Sequence, residues 1–342
     1  MFVYKTSTQS NVTPIPASIR IAATVSLFFL APFVGEFLLG NLPVNMFYLI
    51  PMLAMLYGSG ALLIRETAVR LNLDRGGVLL LCLVYGIIEE AFNTQSLFDP
   101  NYLGMHLLDY GYVPFLKMGS WWTVYVLGIH IVWSTAVPIA LIDGLFPKTK
   151  NRSLLNTAGI IVVCLAFSFA AFYPLFTRPE QAFHASACQL ISAAVAVIFL
   201  LFIAVFCCRR KQPGQPAPGE TPAPLIMGLT ALLLGSAFMS LTFLVTSIPA
   251  WLNIVGMIFC FTLACFLFVR WSKRSGWSAR HSLMVLGGLL VTYIWYGFVQ
   301  VPSIGNISPR GDSLGNILFS CFTIGLLLVA WRNTRIVNNP CD

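Results

Sequence analysis

Ten apolar runs, each about as long as the 20 residues a helix needs to cross a bilayer, decide what this chain can become. They cover roughly 19–40, 43–64, 77–93, 120–146, 154–176, 187–208, 225–245, 249–270, 282–302 and 315–332. Of the 342 residues, 58% are hydrophobic and only 9% charged, against about 25% charged in an ordinary globular chain. With a mean hydropathy of +0.82, the reading is an all-α, polytopic integral membrane protein with the lipid bilayer as its first partner. The third run is the shortest, and its helix is expected to continue into the polar residues after Asn93. Residues 1–16 are polar and lack the basic start and small-residue cleavage site of a signal peptide, so the first run is expected to stay as a helix.

The basic residues test this count. With the N-terminus in the cytoplasm and sides alternating, seventeen Lys and Arg fall in cytoplasmic segments, and only Lys117, Arg178 and Arg310 fall outside. Such asymmetry is the positive-inside pattern, and it places both termini in the cytoplasm. The net charge of +8 then has a topological source, and no nucleic-acid partner is needed. The expected location is the plasma (cytoplasmic) membrane.

One segment, 209–224, is rich in proline and glycine and reads as a cytoplasmic linker unable to form a packed element. It divides the chain into a six-helix region, 1–208, and a four-helix region, 225–342, with a short tail. No internal repeat of the inverted-transporter kind relates the two.

Acidic residues are unevenly placed. From Leu145 onward they are Glu180, Glu220, Asp312 and Asp342, all in expected loops or the tail. The intramembrane carboxylates are Glu36, Glu89 and Glu90, with Glu66 and Asp143 at cytoplasmic helix ends. A carboxylate in lipid costs about 3 kcal/mol on insertion scales and usually faces a cavity where it works. A rise of about 1.5 Å per residue puts Glu90 about 10 Å below the outer face and His130 about 13 Å below it. Their helices are sequence neighbours, so the two side chains are expected to meet. Asn93 shares the Glu90 face at i, i+3, and Ser134 shares the His130 face at i, i+4. Both are expected to flank the pair, and Glu36 to line the same cavity higher up. Pro32 is expected to kink the first helix below Glu36. Asp143 reads as a cap or surface charge near Lys148 and Lys150, and Arg65–Glu66 as an interfacial ion pair. The long loop from Thr94 to Phe115 is either a lid or an aromatic interfacial belt.

The segment Glu89-Glu90-Ala91-Phe92-Asn93-Thr94 resembles the first motif, Glu-Glu-x-x-x-Arg, of the CAAX-protease and bacteriocin-processing (CPBP) membrane proteins. The resemblance implies Glu89 or Glu90 as a base, and His130 as its partner, activating water for peptide hydrolysis. It covers two helices of the ten. Thr94 stands where the motif has arginine, Val126 where it has phenylalanine four residues before His130, and no later His-x-x-x-Asn occurs. The alternative is a membrane family with no assigned activity.

No CxxC, Cys/His or HExxH spacing is present, so no metal is expected from spacing and the cofactor is left unknown. Three functions fit the polar cluster. The favoured one is a glutamate-dependent intramembrane hydrolase, with catalytic Glu89, Glu90 and His130 and with Glu36, Asn93 and Ser134 binding. Its substrate would be a peptide or small molecule from the outer-leaflet side. A proton- or ion-coupled permease uses the same groups as a relay. In a non-catalytic scaffold protein the pair only specifies packing.

Overall fold

The computed structural model describes residues 14–210, 217–304 and 312–338. The polar start (1–13), the middle of the Pro/Gly-rich segment and Arg310 lie outside the described residues. Among the described residues, ten long helices run in chain order: α1 Ala17–Leu38, α2 Val44–Arg70, α3 Arg75–Asn93, α4 Ser120–Leu145, α5 Thr157–Thr177, α6 Ala187–Cys207, α7 Pro224–Leu244, α8 Ala250–Ser272, α9 Ala279–Gly297 and α10 Ser313–Asn338. Nine of them are long and apolar enough to span a membrane. The exception is α9, whose sequence carries Arg280, His281, Gly287, Gly288 and Thr292. It lies against α7, α4 and α10, and there His281 and the Leu289 carbonyl have partners. His281 closes a capping box with Ser278, and the Trp133 indole donates to the Leu289 carbonyl at 2.8 Å. The chain is an all-α polytopic membrane protein.

The helices form an inner group and an outer one. In α4, 72% of the most apolar stretch is buried, against 6% in α5. Thus α1 to α4 carry the interior. Helices α5 and α6 cover α2 and α3 on one side, while α7 to α10 close around α4 on the other. The outer helices turn Ile161, Phe169, Ile198, Phe202, Leu233 and Phe259 outward, as a lipid-facing wall requires.

Small residues let the inner helices touch backbone to backbone, the means by which helices associate in lipid. A Cβ on Gly58 of α2 would lie 2.1 Å from the Phe28 carbonyl oxygen of α1, and one on Gly288 of α9 2.2 Å from the Gly228 carbonyl oxygen of α7. A Cβ on Gly86 of α3 would stand 3.1 Å from the His130 Cβ of α4. The Asp74 carboxylate caps the start of α3 by accepting from the Gly77 N–H at 2.9 Å.

Two short strands, β1 Tyr112–Val113 and β2 Met118–Gly119, pair antiparallel in the long loop before α4. Two more, β3 Ala217–Glu220 and β4 Arg274–Ser275, pair in parallel. The second pair corrects the expectation for 209–224. Ala217 and Thr221 donate backbone bonds to Lys273 and Ser275 at 2.9 and 3.0 Å, so part of this segment docks on the turn between α8 and α9. Pro218 has no N–H to give, but pairing on one edge does not need it.

A second correction concerns the opposite end of the bundle from the long loop. Asp143, read as a cap or surface charge near Lys148 and Lys150, is only part-exposed and points inward. It reaches Arg65 at 3.4 Å. The Arg65 guanidinium, 3% exposed, also donates to the Thr149 and Arg152 carbonyls and lies 3.7 Å from Glu66. Glu66 in turn accepts from Arg70, Ser153 and the Leu154 N–H. The network fixes the 146–154 turn to α2.

Candidate functional site

Three helices leave the α ladder where they carry candidate residues. α1 is a π-helix over Phe33–Leu38, α3 over Glu89–Asn93, and α4 over His130–Ala136. These segments hold Glu36, the Glu89–Glu90 pair, and His130 with Ser134. Single π turns inside α-helices are frequently found at functional sites. Proline explains two of them. Pro32 directly precedes the first, and Pro138 follows the third, where its ring and missing N–H disturb the i→i−4 bond to Ser134. The Thr135 hydroxyl supports the wider turn by donating to the His130 and Ile131 carbonyls at 2.7 and 3.1 Å.

The expected pair forms. His130 Nε2 lies 2.7 Å from Glu90 Oε1. On the other ring edge, Nδ1 is 3.1 Å from Ser134 Oγ and 3.3 Å from Glu89 Oε2. All four side chains are buried. The second Glu90 oxygen accepts from the Thr94 hydroxyl at 2.9 Å and from the Ser96 hydroxyl. The Trp122 indole donates to Ser96 at 2.9 Å. Glu90 is thus held on both oxygens. Glu89 is not: its Oε2 is at ion-pair distance from His130 but has no aligned hydrogen-bond partner, and the nearby Tyr85 hydroxyl has none either. The Tyr57 and Tyr85 rings flank the imidazole, with centroids 6.1 and 6.0 Å away.

Glu36 is placed by two donors, the Tyr57 hydroxyl and the Asn41 amide. Tyr57 therefore stands between Glu36 and His130. Among the described residues, no Lys or Arg pairs with Glu36, Glu89 or Glu90. Three carboxylates thus face one imidazole.

Asn93 does not flank the pair. Its amide donates to the Ala170 carbonyl of α5 at 2.7 Å. A π turn takes more residues than an α turn, so the face shared by Glu90 and Asn93 in a regular helix is broken between them. Thr94 and Ser96 take the flanking role instead. The loop they begin packs over the site, with Gln95, Ser96, Leu97 and Phe98 buried. Arg178, between α5 and α6, donates to the Asn93 and Thr94 carbonyls at 2.6 and 3.2 Å, closing the chain end that Thr94 occupies. Tyr102 hangs over the same space. Burial pushes its phenol above the usual range, and the Glu90 charge adds to the rise.

The sequence reading missed Tyr57, Tyr85, Thr94, Ser96, Trp122 and Arg178 as parts of the site. Two had a signal: Thr94, four residues after Glu90 and at the arginine position of the Glu-Glu motif, and Tyr57, in the Tyr57-Gly-Ser-Gly60 stretch whose glycines bring α1 and Tyr85 close. Glu89, Glu90 and His130 also form the one group among the described residues with ligand atoms placed to hold a metal ion, all within 4.8 Å of one another.

A family model described as "Uncharacterized membrane protein family" matches residues 25–329, so the chain belongs to that family. The match lends no support to the CPBP resemblance, which rests on the Glu-Glu segment alone. No curated protein and no solved structure matches the chain.

Proposed function

We propose that this multi-pass membrane protein is a hydrolase that activates water with Glu89, Glu90 and His130, and that it acts on a peptide or related amide. The observation that carries the reading is the division of labour between two adjacent carboxylates. Glu90 is saturated by His130, Thr94 and Ser96, so it positions and charges the imidazole. Glu89 keeps an oxygen without a hydrogen-bond partner, so it can take a proton from water. Proton transfer to such a positioned base contributes about 10²–10⁴-fold. The Tyr85 hydroxyl, also unpartnered, is a donor for the oxygen on which charge develops.

Access is read from the loop side. The Glu89–Asn93 turn ends α3 directly beneath the loop, and a pocket there is lined by Phe98, Pro100, Tyr112, Lys117 and Gln189. By the basic-residue asymmetry this is the outer face, and the membrane is the cytoplasmic one. A substrate would enter between the loop and the outer leaflet.

The test is a screen of quenched fluorescent peptides with the purified protein in proteoliposomes. Turnover by the wild type and its loss in Glu90→Gln support the reading. Equal turnover in both, or none across the screen, counts against it.

One observation favours a permease. Ser59, buried and without a partner, lies on α2 between Tyr57 and the Arg65 network, as a relay step would. Proton flux in the same vesicles, lost in Glu90→Gln without any peptide turnover, would select that reading.

A further inference from the structure

The geometry points to a divalent-metal site of the zinc type, made by Glu89, Glu90 and His130. It concerns the residues of the hydrolase reading but does not rest on turnover, because bound metal is measured directly.

Geometry comes first. One ligand atom from each residue lies within 4.8 Å of the other two; zinc bonds of about 2.0–2.2 Å set tetrahedral ligands about 3.4 Å apart, so small side-chain rotations would close the three on one ion. All three residues are buried, at 3%, 5% and 5% exposure, in a bundle where flexible surface ligands play no part.

An independent observation is the unsatisfied polar atoms. Glu89 Oε2 and the Tyr85 hydroxyl, in residues 3% and 2% exposed, are neighbours that make no close, aligned hydrogen bond with each other or with any other group. Buried polar groups are nearly always paired, and an orphan calls for a water or an ion. A metal would take this Glu89 oxygen as a ligand, in place of the base role it has in the metal-free protein, and leave the Tyr85 hydroxyl facing whatever fills the open position.

Charge agrees. Two carboxylates and one imidazole leave net negative charge in the membrane interior even when the ring is protonated. Arg178 gives its hydrogen bonds to the Asn93 and Thr94 carbonyls and forms no ion pair with them. A divalent cation balances the two glutamates and lets the histidine be neutral, the form that ligates.

The surroundings are those of a metal centre. Thr94 and Ser96 hold the outer oxygen of Glu90. Ser134 lies 3.1 Å from Nδ1 and would hold that nitrogen, while Nε2 and Glu90, 2.7 Å apart in the metal-free protein, would part to admit the ion. Partners of this kind orient the ligands of known sites. Three protein ligands with two carboxylates and one imidazole leave a fourth position for water. Glu36, held by Tyr57 and Asn41, stays outside the ligand set.

The protein, purified in detergent and stripped with a chelator, is dialysed against zinc alone, and metal and protein are quantified by mass spectrometry and amino-acid analysis. About one zinc per chain is expected for the wild type and for Glu180→Gln, an exposed loop carboxylate away from the site. Glu89→Gln and His130→Ala should each weaken binding at least about tenfold. Each variant is first required to elute as a monodisperse peak; Glu89→Gln keeps the shape of the side chain and guards against a folding artefact. Zinc bound equally by the wild type, Glu89→Gln and His130→Ala, or no stoichiometric zinc in the wild type, overturns the inference. A metal-free wild type that still loses turnover in Glu90→Gln would remove the metal and leave the hydrolase reading standing.

Discussion

Glu89 and Glu90, neighbours in the chain, reach opposite edges of one imidazole. His130 Nε2 lies 2.7 Å from Glu90, and Nδ1 lies 3.3 Å from Glu89. In a regular helix successive side chains diverge by about 100°. Here α3 becomes a π-helix at Glu89 while α4 becomes one at His130. Gly86, one turn earlier, lets the two helices come close enough for both contacts.

That closeness makes a graded prediction about glycine. Gly58→Ala would force a methyl to within 2.1 Å of the Phe28 carbonyl, whereas a methyl on Gly287 meets nothing within 4 Å. Overpacking a tight contact costs about 1–3 kcal/mol or more. Alanine at an open helical position gains up to about 1 kcal/mol. Thermal unfolding in detergent should therefore show Gly58→Ala well below the wild type and Gly287→Ala at or above it. The reverse order would mean that α1 and α2 do not cross at Gly58.

A second prediction concerns the Arg65 network. Removing one partner of a buried ion pair strands the other and costs about 3–5 kcal/mol. Arg65→Ala removes the donor of the Thr149 and Arg152 carbonyls and the charge that faces Glu66 and Asp143, and should destabilise strongly. Asp143→Asn should cost much less, because its side chain is 30% exposed and meets Arg65 only at 3.4 Å. Unfolding midpoints of the two variants compare them directly. Equal losses would contradict the placement of Arg65.

Topology is tested by reporter fusions. Those after Lys150, within 209–224 and at the C-terminus should read cytoplasmic, and those near Asn101 and Arg178 should read outside. The expectation comes from seventeen basic residues on one side against three on the other. A cytoplasmic signal at Asn101 would reverse the face from which the site is reached.

Much of this was legible before any coordinates. The spans follow from the length and apolarity of each run, and Glu90 and His130 were paired by matched depth and by the cost of leaving either alone in lipid. Three kinds of feature were not. Helical periodicity assumes one pitch, so the π turn that sends Asn93 to Ala170 was invisible, although Pro32 and Pro138 hinted at the other two. Ser96 meets Glu90 through a loop whose path no pattern encodes. Asp143 meets Arg65 across 78 residues of chain, where proximity in sequence pointed to the lysines instead.

That Glu90 and His130 act together on water is tested most directly by a turnover cycle in proteoliposomes, using a peptide cleaved by the wild type. Glu90→Gln, His130→Ala and the double variant are compared at equal protein and one pH. Groups that act as a unit are strongly non-additive. Each single variant should lose about 10²–10⁴-fold, and the double should be no worse than the poorer single. Single variants that keep wild-type turnover, or losses that multiply in the double, would contradict the paired site.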